Sequence, residues 1–159
     1  MTPIRHSQPD ASLVLTALED QLDCYRQLAD LSRQQAKLIM NGDTVRLLDL
    51  LKQRERQTQA AAELERSLES FKRAYPAGVE HWATQQRQQV EAMLQEARTL
   101  LAELTQRDEQ DALTLRAKMS QTKIELDEIA TDARQVRRVN QHYAAAAYGA
   151  RRPGLNLKK

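Results

Sequence analysis

One cysteine and three histidines are the side chains best suited to nucleophilic or metal chemistry, and their spacing brings none of them together. Cys24 has no histidine near it in sequence to take its proton, so it is read as a small buried or half-buried thiol beside Tyr25. His6, His81 and His142 are far apart, no Cys/His group has metal-ligand spacing, and a single cysteine excludes an internal disulfide. Glu63, Glu65 and Glu69 interleave with Arg66, and Glu125, Asp127 and Glu128 with Lys123, as solvated charged helix faces do. Four glycines build no phosphate-cradling loop. The sequence therefore carries no catalytic, cofactor-binding or metal site, and the protein is expected not to be an enzyme.

The chemistry that remains is binding. After Asp132 the chain has no further acidic residue, while Arg134, Arg137, Arg138, Arg151, Arg152, Lys158 and Lys159 are basic. Tyr143 and Tyr148 lie in this region, and each is either a packed seam residue or a partner anchor. The segment from Ala150 to Lys159 carries Leu155 and Leu157 beside its basic groups, as a docking peptide or as a plain basic tail. Trp82, the only tryptophan, is expected to pack under a corner of the fold, with a partner hot spot as its other reading. The net charge of +2 points to no particular partner.

Long helices must position these residues. Aromatics make up 4% of the chain and charged residues 29%, and no cluster of β-branched residues suggests a strand. Glycine and proline are costly inside helices, so their confinement to a few places marks the junctions. These are Pro3 and Pro9, Gly42, Pro76 with Gly78, and Gly149 with Pro153 and Gly154. Helical stretches are predicted over 10–41, 43–74 and 79–148, with an N-terminal tail at 1–9 and a basic flexible tail at 149–159. In the first, Leu15, Leu18, Leu22, Tyr25, Ala29, Ser32, Ala36 and Ile39 step by threes and fours behind an Asp10 N-cap. In the second, capped by Asp43, Leu47, Leu50, Arg54, Gln57, Ala61, Leu64, Leu68 and Phe71 do the same. Arg54 and Gln57 are weak seam members that can fix register. Gly42 is expected in the left-handed conformation, making an antiparallel hairpin with its neighbours.

The third stretch has two seams. Val90, Leu94, Ala97, Leu101 and Leu104 form one, and Leu115, Met119, Thr122, Leu126, Ile129, Ala133, Val136, Asn140 and Tyr143 the other. The polar run 105–111 between them is read either as a stutter in one long helix or as a bend into a fourth helix. The fold class is all-α: an antiparallel long-helix coiled-coil bundle, a hairpin plus a long third helix.

The run from Leu28 to Glu65 contains Leu38-Ile39-Met40-Asn41-Gly42-Asp43, then Leu47-Leu48-Asp49-Leu50-Leu51-Lys52-Gln53-Arg54-Glu55, then Leu64-Glu65. This resembles the first hairpin of the FlgN/FliT-type flagellar export chaperones. The resemblance implies a small cytoplasmic helical protein of type III protein export and flagellum biogenesis. It would bind amphipathic segments of hook-associated or filament-cap proteins, keep them unassembled and deliver them to the export gate or export ATPase. A C-terminal tyrosine acts at that gate in FlgN-type members, which here means Tyr143 or Tyr148. The tail from Arg151 to Leu157 is not part of the general pattern. A client helix laid into a groove would meet Ile129, Val136, Val139 and Tyr143, with Arg134, Arg137 and Arg138 steering an acidic client.

A coiled-coil stalk or adaptor of a type III secretion ATPase is the alternative, favoured by a two-helix architecture without a client-sized groove. Nucleic-acid binding through the basic C-terminus ranks behind both, because the chain is nearly neutral and has no recognised module. No stretch approaches a membrane span, and Met1 to His6 lacks the apolar run of a leader, so no membrane insertion and a cytoplasmic location are expected.

Overall fold

A computed structural model describes residues 10–149, with side chains for residues 10–146. Three α-helices account for nearly all of it: α1 (Ala11–Asn41), α2 (Thr44–Ala74) and α3 (Thr84–Gly149). There is no strand among the described residues, as the sparse β-branched content requires. The two tails, with Leu155 and Leu157, lie outside them.

The hairpin forms where the local chemistry dictates. The Asp10 carboxylate accepts from the Ser12 amide at 3.0 Å and opens α1. Gly42 closes it at φ +68°, with Gly42 N–H donating to the Ile39 carbonyl and Asp43 N–H to the Leu38 carbonyl. The Asp43 carboxylate then accepts from the Arg46 amide at 3.1 Å and opens α2. A Cβ added at Gly42 would meet nothing within 4 Å. Gly42→Ala therefore carries only the backbone cost of the left-handed region, an expected loss of about 1 kcal/mol in urea unfolding. An unchanged midpoint would contradict this.

The second corner departs from expectation. The third helix begins at Thr84 and not at Val79, after a 3-10 turn at Ala77–Val79. Trp82 is the reason: its buried ring stacks on Phe71, centroids 5.7 Å apart and planes 7° from parallel. A helix begun at Val79 would have to surrender that placement. Ala83 offers no capping oxygen, but Gln86 reaches back to its amide at 3.2 Å. The Tyr75–Pro76 peptide is cis. Gly78 is needed for space, since a Cβ there would stand 2.9 Å from that of Ala74.

The described residues fall into two units divided between Thr114 and Leu115. In the first, α2 runs antiparallel to α1, and α3 runs parallel to α1. The ion pairs Arg26–Glu96 (2.8 Å) and Arg33–Glu103 (3.2 Å) give that direction, because both partners advance by one heptad together. One core cluster joins Val14, Leu18, Leu68, Phe71, Val79, Trp82 and Val90. A second joins Cys24, Tyr25, Leu28, Ala29, Ala61 and Leu104. Cys24 is the buried small thiol expected of it, and Trp82 is structural. The buried stripe of α1 is broader than a simple seam, because the helix packs on two neighbours. Val14, Gln21, Cys24 and Gln35 are inside, while Leu15 and Ala36 are only half-buried.

The polar run 105–111 is helical throughout and does not turn the chain back. Its purpose is visible in three dimensions. Asp111 and Asp108 complete a polar layer with Gln35 of α1 and Arg54 of α2. Gln35 Nε2 donates to Asp111 Oδ2 at 2.9 Å, Arg54 Nη1 to Gln35 Oε1 at 2.5 Å, and Arg54 Nη2 to Asp108 Oδ2 at 2.9 Å.

Candidate partner-binding face

From Leu115 onward α3 keeps the regular seam of a packed helix but shows it to solvent. Met119, Leu126, Ile129, Val136 and Tyr143 are all exposed, from 58% for Val136 to 71% for Tyr143. Val139 stands beside them at 51%. The helix forms because Ala, Gln, Glu, Arg and Lys dominate and no breaker intervenes before Gly149. Within this unit the expected client-binding residues share one helix with an open convex face; a groove needs a second helix. Ile129, Val136 and Tyr143 lie on the seam itself and Val139 and Arg137 border it, whereas Arg134 and Arg138 lie on the side of the helix turned away from it; all are exposed. The side chain of Tyr148, the other expected gate residue, lies outside the described residues.

Charge changes sign along this helix. Glu125, Asp127, Glu128 and Asp132 occupy the middle of 115–146, while Arg134, Arg137 and Arg138 follow, and no acidic residue appears from 133 to 146. The basic end offers guanidinium groups to carboxylates, and the apolar stripe offers area. The described residues contain no group of His, Cys, Asp or Glu able to hold a metal and no helix long and apolar enough to cross a membrane.

The first unit carries a second surface feature, a groove of about 320 Å³ bordered by Tyr25, Glu65, Lys72, Tyr75, Leu94 and Arg98, with Ala97 and Leu101 completing it. Burial pushes the Tyr25 hydroxyl pKa up, and the Glu65 and Cys24 charges add to that. Burial also works to raise Glu65, but hydrogen bonds from Lys72 and Gln21 outweigh it and hold the carboxyl below its ordinary value. Gln21 Nε2 donates to Glu65 Oε2 at 2.6 Å and Lys72 pairs with the same oxygen. With its central charges already paired, the groove wall is a braced side of the bundle.

Gln21 and Gln35 are buried polar residues that periodicity does not reveal, while buried Asp111 stands on the stepping Leu104, Asp108, Asp111, Leu115, Met119 that carries the seam through the polar run. Burial raises the Asp111 pKa, the Gln35 hydrogen bond opposes it, and nearby Asp108 adds to the rise. A carboxyl raised in the folded state binds its proton more tightly there than in the unfolded chain. Its contribution is thus fully present below the ordinary aspartate value and is lost as pH climbs through the raised one. Asp111→Asn keeps an acceptor for Gln35 and removes that loss. The variant is expected to show a higher urea midpoint than wild type at neutral pH, the difference closing at low pH. A lower midpoint at neutral pH would mean that Arg54 more than offsets the burial of the carboxylate. Glu65, Glu96 and Glu103 act in the opposite sense: each is lowered, so their contribution is lost as pH falls through their folded values.

No family model, curated protein or solved structure matches the chain.

Proposed function

We propose that the protein is an export chaperone of the flagellar type III system, acting in the cytoplasm. In this reading it captures an amphipathic helix of a hook-associated or filament-cap protein on the open stripe of α3 and delivers it to the export apparatus. The observation that carries this is the uncovered heptad seam from Leu115 to Tyr143. A helix with a core-quality apolar repeat left in solvent is a surface awaiting another helix. The resemblance of the Asn41-Gly42-Asp43 hairpin to FlgN/FliT-type chaperones names the class of client. Arg137, beside the seam, favours a client segment with an acidic flank, and Arg134 and Arg138 add to the positive field of that end of the helix. Three helices packed in the first unit, in place of a bare two-helix hairpin, weigh against the ATPase-stalk alternative.

The test is recovery of bound protein from the native cell, comparing the tagged wild type with an Ile129→Asp, Val136→Asp variant. Both residues are exposed, so the variant is expected to fold. A hook-associated or filament-cap protein should appear with wild type and fall about tenfold or more with the variant, as loss of central apolar anchors does. Equal recovery would remove the client site from this face, and recovery of ATPase components alone would favour the stalk. Tyr148→Ala is expected to leave client capture intact and weaken docking to the export gate.

A further inference from the structure

The open face of residues 115–146 is regular enough to identify an occupant that needs no client. Met119, Leu126, Ala133 and Asn140 take the a positions of successive heptads, and Leu115, Thr122, Ile129, Val136 and Tyr143 the d positions. The repeat runs past the roughly three to four heptads that mark a coiled coil. Two seam residues are polar, and polar seam residues select their own partners. In a parallel, in-register pair, Asn140 meets Asn140 and Thr122 meets Thr122, so each can hydrogen-bond to its copy. A slip of one heptad sets Asn140 against Ala133 and Thr122 against Ile129, leaving polar groups against apolar ones.

Antiparallel pairing has one register that also matches polar with polar, setting Thr122 on Asn140 and Leu126 on Val136. The flanking charges decide against it. There Asp132 would face Asp132 of the second copy, and Lys123 would face Arg137 on both sides, so every charged flank contact is repulsive. In the parallel register Asp132 faces Arg137 of the second copy on both sides, and these attractions stand against the Lys118–Lys123 contacts.

We propose that residues 115–146 pair with the same residues of a second copy as a parallel, in-register two-stranded coiled coil. The resting protein is then a dimer whose seam is the stripe assigned above to the client. This goes beyond the client reading, since the dimer requires no client. Where both hold, client capture and dimerisation compete for one surface.

Sedimentation velocity of the full chain, with no client present, should show a concentration-dependent monomer–dimer equilibrium. Asp132→Lys converts attraction into repulsion only in the parallel register, and should weaken the dimer about tenfold. Adding Arg137→Asp should restore it. In a Cys24→Ser background, Val136→Cys should form an intermolecular disulfide in a redox buffer, because d positions of a parallel pair face each other. These positions are exposed, and an unchanged helical signal will show that the fold is intact. A monomer at every concentration, or a dimer indifferent to Asp132→Lys, overturns the proposal. A dimer that captures no client leaves this proposal standing and removes only the chaperone reading; a monomer that captures client does the reverse.

Discussion

Phe71→Ala is expected to cost about 3–5 kcal/mol, the largest loss from any single truncation described for this fold. Phe71 is 4% exposed and holds the second corner together. One face of its ring stacks on Trp82, and the Tyr75 ring lies tilted against it with centroids 5.9 Å apart. The same cluster contains Val14, Leu18, Leu68, Val79 and Val90, contributed by every element of the first unit. Removing the ring leaves a cavity that the Trp82 indole cannot fill without leaving its own packing. Set against about 5–15 kcal/mol for a typical domain, the loss takes a large part of the stability. Urea unfolding followed by Trp82 fluorescence checks it, because the only tryptophan touches the site. A loss under about 1 kcal/mol would mean that the corner is not part of the cooperative core.

Arg54→Met is expected to cost about 2–4 kcal/mol, for a different reason. Its side chain is 17% exposed and is the cation of the polar layer. Without it Gln35 loses the donor to its amide oxygen, and buried Asp111 loses the nearby positive charge. Asp108, at 47% side-chain exposure, can turn to water, which keeps the cost below that of a fully buried pair. Replacing Gln35, Arg54 and Asp111 together by Leu should recover most of the loss, since an apolar layer leaves nothing unpaired. The triple variant is expected to lose register instead. Arg26–Glu96 and Arg33–Glu103 sit one heptad apart, so a slip of α3 by seven residues re-forms a pair between Arg26 and Glu103. The polar layer is satisfied in only one of the two alignments. The expected sign is native-like helix content with a shallower urea transition and weakened near-ultraviolet dichroism. A sharp, native-like transition would show that packing alone fixes the alignment.

The hairpin was legible in the sequence because its causes are local. Asp10, Gly42 and Asp43 act on backbone groups within a few residues of themselves. The seam of α2 was legible because its buried positions, Leu50, Ala61, Leu68 and Phe71, keep to one heptad stripe of apolar residues. The broader face of α1 was not, because it meets two helices and buries Gln21 and Gln35, whose polarity hides them from any hydrophobic pattern. The run 105–111 looked like an interruption, since its partners Gln35 and Arg54 lie far away along the chain. The start of α3 at Thr84 depended on the Phe71–Trp82 stack, a contact between helices. The open face from Leu115 to Tyr143 marks a different limit: periodicity shows that a stripe is built to pack, and says nothing of whether the covering helix belongs to the same chain.

One consequence of the uncovered seam concerns amide exchange along α3. A helix of about thirty residues without tertiary cover is held mainly by its own propensity, which is marginal in water. The amides of 84–111 are backed by core and polar layer and should exchange with the cooperative opening of the first unit, whereas those of 115–146 should exchange by local fraying wherever no second helix covers them. Any occupant of the stripe would then announce itself as slowed deuterium uptake confined to the second segment, so the protein carries within one helix both the reporter and its internal standard.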